Sequence, residues 1–77
     1  MMIPSLVEHV VKQIVEYPQD VKISTNKVDD KTLLEIFVAE SDRGKVIGKQ
    51  GQMIKAIRIL VSAVAPEGQK FNVDIAK

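Results

Sequence analysis

Apolar residues recur at helical spacing in the first part of the chain. Between residues 6 and 15 they fall on one side of a repeat of about 3.6 residues, which predicts an amphipathic helix with a single apolar stripe. Pro4 suits the first turn of this helix, and Pro18 ends it because Tyr17, which precedes a proline, is disfavoured in helical geometry. The stripe consists of Leu6, Val7, Val10, Val11, Ile14 and Val15.

Three later stretches alternate between apolar and polar residues. Residues 21–26 and 32–39 alternate with a period of two, which predicts two strands, and a turn at residues 27–30 joins them as a hairpin. A third strand is predicted from Phe71 to Ile75, after a turn at residues 66–68. The side chains expected on the buried face of the hairpin are Val21, Ile23, Thr25, Leu34, Ile36 and Val38, and those expected on the open face include Leu33 and Phe37.

Two helices separated by a glycine turn are predicted between the second and third strands. Ser41 or Asp42 can cap a short helix that runs towards Ile47, and a longer helix extends over residues 52–65. The core face of the longer helix is expected to carry Met53, Ile57, Leu60, Val61 and Val64. Because two helices separate the second and third strands, those strands can lie parallel through a right-handed crossover. The sequence therefore predicts an α+β fold in one domain over residues 1–77, with three helices on one face of a three-stranded mixed sheet.

Charge is distributed unevenly along the chain. Residues 1–42 carry four lysines against eight acidic residues, a balance of −4, whereas residues 43–66 carry five basic residues and no acid, a balance of +5. A contiguous positive segment in an otherwise acidic chain favours local docking of a polyanion, and a solvated helix face with chance clustering is the alternative. The basic residues of this segment are Arg43, Lys45, Lys49, Lys55 and Arg58.

The glycine turn, Gly48-Lys49-Gln50-Gly51, has the chemistry of a phosphate-binding site. Glycine accepts a positive φ and lets another backbone approach closely, and a helix that starts after Gly51 presents unpaired N–H groups. Lys49 adds a charged donor beside them. A nucleotide-binding P-loop has four residues between its glycines, followed by Lys and then Ser or Thr. This sequence has neither that spacing nor that pair of residues, so a P-loop is excluded. The remaining alternative for an isolated pair of this kind is a plain helical corner.

Val46-Ile47-Gly48-Lys49-Gln50-Gly51, followed by Ile54, resembles the signature of KH domains, whose G-x-x-G loop clamps a backbone of about four nucleotides. The element order resembles the type II arrangement, and the run from Lys45 to Arg58 resembles the small bacterial stand-alone KH proteins of the KhpA family. The resemblance covers essentially the full chain. It implies a protein that binds single-stranded RNA and acts as a post-transcriptional regulator or RNA chaperone.

The resemblance also assigns roles to residues of this chain. Gly48 and Gly51 are expected to hold phosphates, with Lys49 and Gln50 projecting between them. Ile47 and Ile54 are expected to form an apolar floor for bases, with Ile36 or Val38 at its strand edge. The positive field around the bound RNA is expected from Arg43, Lys45, Lys55 and Arg58, although not all four side chains can face the RNA. With only Tyr17, Phe37 and Phe71 as aromatic residues, stacking is not expected to dominate, so one copy should bind weakly and in a salt-sensitive manner.

A second surface is predicted on the longer helix. Ile59 lies away from the core stripe, between the small residues Ala56 and Ala63, and this pattern suits packing against a matching helix. The alternative is a single, incidentally exposed isoleucine. The resemblance favours assembly, because the KhpA family is known for self-association and for pairing with a larger KH-containing protein of the Jag type (KhpB). The hypothesis is therefore a two-fold homodimer through this helix.

The function classes can be ranked from the same residues. RNA binding comes first, a protein-interaction adaptor whose main role is dimerisation comes second, and single-stranded DNA stays open as the ligand. Catalysis is disfavoured because His9 falls opposite the apolar stripe and no nucleophile–base pair is apparent. No cofactor or metal site is expected, and there is no cysteine. Residues 1–17 carry Glu8 and Glu16, unlike a signal peptide, and no run of about 20 apolar residues is present, so a cytoplasmic protein without a membrane partner is expected.

Overall fold

The computed structural model describes residues 3–76, and their regular elements follow the predicted order. The helices are α1 (Ile3–Ile14), α2 (Arg43–Ile47) and α3 (Gln52–Val64), and the strands are β1 (Lys22–Val28), β2 (Lys31–Phe37) and β3 (Lys70–Ile75). Single 3₁₀ turns lie at Pro18–Asp20, Glu40–Asp42 and Lys49–Gly51. Residues 1, 2 and 77, which the single-domain prediction includes, lie outside the described residues.

The three strands form one mixed sheet with β2 at its centre. β1 and β2 pair antiparallel, and β2 and β3 pair parallel, with Leu34 of β2 opposite both Thr25 and Val73. The three helices lie on one face of this sheet, so the predicted α+β, KH-type fold is confirmed. The two edge strands are β1 and β3, and α3 packs against β3.

The hairpin is longer than predicted. Val28 pairs with Lys31, so only Asp29 and Asp30 form the connection, and Asp29 has a φ of 57°. The prediction of a turn from residue 27 was wrong because Lys27 and Val28 continue the strand at an exposed hairpin tip, where no burial pattern marks them. At its other end β2 stops at Phe37, two residues before the predicted limit.

The core brings one stripe from each long helix against the covered face of the sheet. From α1 it takes Ile3, Val7 and Val11, while Leu6, Val10, Ile14 and Val15 of the predicted stripe are only partly buried. Ile57 and Val61 of α3 are buried as predicted, whereas Val64 is 37% exposed because the helix ends there. The remaining core residues are Val21, Leu34, Ile36, Val46, Ile54 and Val73. Within residues 3–76, none of the helices combines the length and apolarity that crossing a bilayer requires.

Candidate nucleic-acid interface

The glycine turn joins α2 to α3 and contains three residues with positive φ angles. Gly48, Gln50 and Gly51 have φ angles of 78°, 58° and 74°. A Cβ at Gly48 would lie 2.6 Å from the Cβ of Met53 and 2.7 Å from its backbone nitrogen, which real Cβ atoms do not tolerate. Gly48 is therefore required both by its φ angle and by the close approach of the first turn of α3.

Backbone hydrogen bonds hold this turn in shape. The Gly48 N–H donates to the Gly44 carbonyl at 2.9 Å and closes α2, and the Gly51 N–H donates to the Gly48 carbonyl at 3.1 Å. No side chain caps the N-terminus of α3 at Gly51. The positive end of the α3 dipole therefore faces a turn whose Lys49 and Gln50 side chains are exposed, an arrangement that suits a phosphate.

The basic residues predicted to surround the turn differ in whether they form ion pairs with acidic side chains. Among the ion pairs found within residues 3–76, none involves Lys49, Lys55 or Arg43. Lys45 is engaged instead: its Nζ lies 3.3 Å from Glu16 Oε1 and 3.7 Å from an oxygen of the Asp42 carboxylate. Of the five basic residues predicted for this region, Arg43, Lys49 and Lys55 are therefore outside these ion pairs, and Lys49 lies within the turn itself.

Arg58 lies away from the turn, about 10 Å farther along the α3 axis than Gly51. Its Nε donates to the Val73 carbonyl at 2.9 Å, and its Nη2 lies 3.9 Å from Asp74 Oδ1. The guanidinium thus spans the gap between α3 and the edge strand β3, and Arg58 is not brought to the glycine turn. It contributes to a surface cavity of about 530 Å³ lined by Leu33, Arg58, Ser62, Phe71, Asn72, Val73 and Asp74.

The predicted apolar floor is smaller than the sequence suggested. Ile47 is 40% exposed at the end of α2 and is available for contact. Ile54, at 7% exposure, and Ile36, which is fully buried on the covered face of the sheet, both belong to the core. Both residues therefore offer little surface to a base in this structure, and their contact with bases stays a prediction. Val38 is partly buried and borders a second cavity of about 350 Å³, together with Arg43 and Phe37.

Asp42 has a different role from the predicted helix cap. Neither Ser41 nor Asp42 makes a side-chain capping bond to α2. The Asp42 carboxylate is fully buried and accepts the N–H of Glu16 at 3.1 Å and the N–H of Tyr17 at 3.0 Å. Sequence reasoning missed this contact, although Pro18 gave a signal: the residues before it leave the helix and need other acceptors.

The residues predicted as a dimer surface lie together on the outer side of α3. Ile59 is 70% exposed, the most exposed of the large apolar residues in the described chain, and Ala56 and Ala63 beside it are exposed as well. The assembly itself stays a prediction. Elsewhere, His9 is exposed, and residues 3–76 contain no group of three His, Cys, Asp or Glu side chains placed to share a metal ion.

Two solved structures of Era share this fold. The Y63A variant of Aquifex aeolicus Era, bound to GDP and aluminium fluoride, superposes with a TM-score of 0.57 at 16% identity, covering 96% of this chain and 30% of that chain. Era in complex with MgGDPNP and nucleotides 1506–1542 of 16S ribosomal RNA superposes with a TM-score of 0.58 at 15% identity and the same coverage. This chain thus spans under a third of Era, and at such identities the likeness shows the fold alone.

Relatives with higher identity are found among bacterial proteins named RNA-binding protein KhpA. The Clostridium perfringens protein is 44% identical over 71 residues, covering 91% of this chain and 95% of its own length. The Leifsonia xyli protein is 41% identical over 75 residues, covering 97% and 96%, and the Bacillus subtilis protein is 42% identical over 65 residues, covering 84% and 80%. These names describe no catalytic activity, in agreement with the prediction that the chain is not an enzyme. A family model described as the KH domain of KhpA/KhpB matches residues 4–75, and the chain belongs to this family.

Proposed function

We propose that this protein binds single-stranded RNA and that the Gly48–Gly51 turn clamps the RNA backbone. The observation that carries the proposal is the turn itself, in which positive φ angles and the approach of Gly48 to Met53 expose backbone at the uncapped start of α3. An RNA phosphate supplies the negative charge that this helix end and Lys49 attract. The names of the KhpA relatives support RNA as the ligand.

In the proposed complex, phosphates sit against Gly48 and Gly51, and Lys49 forms the main charged contact. Lys55 and Arg43 add to the positive field, and Ile47 provides apolar surface for a base. Arg58, farther along α3, extends the proposed RNA-binding surface to the cavity beside β3. Because these contacts are few, a single copy binds weakly, and because they are contacts to phosphates its affinity falls as salt rises.

Weak binding by one copy favours assembly, because linking two sites raises avidity without any new contact. The proposed homodimer uses the outer face of α3 around Ile59, and the same face serves for pairing with a larger KH protein of the KhpB type. In the cell the protein would then act in the cytoplasm as a post-transcriptional regulator or RNA chaperone. The exposure of Ile59 is also the observation that favours the second candidate, an adaptor whose main role is to dimerise.

The test is a charge reversal in the turn, Lys49→Asp combined with Gln50→Asp, and binding of short random-sequence single-stranded RNA is measured. Both side chains are exposed, so folding and oligomeric state should stay unchanged while affinity falls by at least about tenfold, since a phosphate contact becomes a repulsion. The matched control is Asn26→Asp with Lys27→Asp, which makes the same change of charge at exposed positions of β1.

The control variant should bind RNA as the wild type does. Equal affinity of the turn variant and the wild type would contradict the proposal. If cellular function and partner capture survive a loss of RNA binding, the adaptor is the correct reading. A parallel titration with single-stranded DNA of matched sequence shows whether the ligand is RNA or either nucleic acid.

A further inference from the structure

Asp42 is the buried charged side chain of the described part of the chain. Both of its carboxylate oxygens accept a backbone hydrogen bond, Oδ1 from Glu16 and Oδ2 from Tyr17, across 26 and 25 residues of sequence. A buried carboxylate is tolerated only when it is fully hydrogen-bonded or paired, and the nearby Lys45 ammonium adds to that compensation. We call the carboxylate and its two backbone bonds the Asp42 bridge.

The Asp42 bridge joins two chain segments at defined points. Glu16 and Tyr17 follow the end of α1, where the last helical bond runs from the Val15 N–H to the Val11 carbonyl. Pro18 comes next and has no N–H of its own. On the other side, α2 begins at the residue after Asp42. The bridge therefore fastens the start of α2 to the end of α1.

This fastening has consequences for the glycine turn. α2 has only five residues, too few to form a stable helix without support from its surroundings. Within α2 the fully buried side chain is that of Val46, near the C-terminal end, so the N-terminal end depends on the bridge. Gly48 follows α2 directly, and a tilt of α2 would move the turn relative to the start of α3.

We propose that Asp42 is a positioning residue for RNA binding: through Glu16 and Tyr17 it sets the orientation of α2 and thereby the geometry of the Gly48–Gly51 clamp. The inference rests on the proposed function of that turn. Asp42 cannot touch RNA itself, because it is fully buried. A carboxylate is needed because asparagine offers one carbonyl oxygen and would turn its NH₂ group, a donor, towards the second backbone N–H.

The test compares Asp42→Asn with Asp20→Asn, which removes the same charge at an exposed position. Affinity for short random-sequence single-stranded RNA is measured over a range of salt concentrations, at a temperature where circular dichroism shows both variants folded. Asp42→Asn should bind about tenfold more weakly. The slope of log Kd against the logarithm of the salt concentration should be smaller than that of the wild type by about 0.7, which corresponds to one phosphate contact on a single strand. Asp20→Asn should match the wild type in both respects.

A folded Asp42→Asn protein with wild-type affinity and salt slope would overturn the inference, even if its unfolding temperature were lower, because the role would then be structural only. The wild type provides a test that does not depend on folding of a variant. If RNA requires the bridged state, saturating RNA must slow hydrogen exchange of the Glu16 and Tyr17 amides, by linkage. Unchanged exchange of both amides would equally overturn it.

The outcome separates this inference from the proposed function. Loss of RNA binding on reversal of Lys49 and Gln50, together with normal binding by Asp42→Asn, would leave the clamp intact and remove only the positioning role. RNA binding that survives the reversal would remove the clamp itself, whatever Asp42→Asn does.

Discussion

At the scale of single residues, the turn between α2 and α3 is defined by backbone conformation more than by side-chain chemistry. Gln50 holds a φ of 58°, which costs a non-glycine residue about 1 kcal/mol, and it does so between two glycines that also have positive φ. Strain of this kind persists where the surrounding structure fixes it. Here the close approach of Gly48 to Met53 and the bond from the Gly51 N–H to the Gly48 carbonyl hold the turn on either side of Gln50.

An alanine series on three glycines tests this view of the turn. Gly48→Ala should lower the free energy of unfolding by about 2–4 kcal/mol, because its Cβ meets the backbone nitrogen of Met53 and its φ is 78°. For Gly51→Ala the positive φ is the only penalty, so the free energy of unfolding should fall by about 1–2 kcal/mol. Gly44→Ala lies at an open helical position and should stabilise by about 0.5–1 kcal/mol. Urea unfolding gives the three values, and a Gly48→Ala protein as stable as Gly51→Ala would show that the close approach is not rigid.

At the scale of elements, α3 presents two faces with different uses. Its inner face packs Ile54, Ile57 and Val61 into the core, and its outer face leaves Ile59 70% exposed. Ala56 and Ala63 are exposed beside it, so this face carries a small apolar stripe. The proposed homodimer covers that stripe with a second copy of α3.

Ile59→Glu should therefore convert the proposed homodimer to a monomer without loss of fold, because a charge in an apolar helix contact is left unpaired, whereas the side chain is 70% exposed in the single chain. Sedimentation equilibrium reports the mass, and Val28→Glu, on a strand tip that is 57% exposed, is the matched control. If Ile59→Glu and the wild type had the same mass, the proposed dimer would be contradicted.

The elements themselves were predictable from sequence because each follows one periodicity. Helical spacing gave α1 and α3, and alternation gave the three strands, with errors at strand ends, as at Lys27 and Val28 of β1 and at residues 38–39 after β2. Burial within α3 was harder to predict: Ile54 matches the family signature, but its direction depends on how α3 packs on the sheet. Pro18 signals that the N–H groups before it need acceptors outside the helix, but nothing in the sequence identifies Asp42, about 25 residues away, as the acceptor.

At the scale of the whole molecule, the charge segregation seen along the chain is only partly a property of the surface. The residue 43–66 segment carries a balance of +5, but Lys45 is paired with acidic groups from the first part of the chain and Arg58 with Asp74. The basic side chains of this segment that take part in none of the ion pairs found within residues 3–76 are Arg43, Lys49 and Lys55. Under the proposed function, these are the charges that attract a polyanion.

The central claim, that the Gly48–Gly51 turn is where RNA binds, is tested most directly by an NMR titration of the isotope-labelled protein with short single-stranded RNA. The account predicts the largest shifts of backbone amides at Gly48, Lys49, Gln50, Gly51 and Gln52. Amides at the hairpin tip, Asp29 and Asp30, should stay unmoved. Shifts centred on the hairpin or on the open face of the sheet, with the turn amides unmoved, would contradict it.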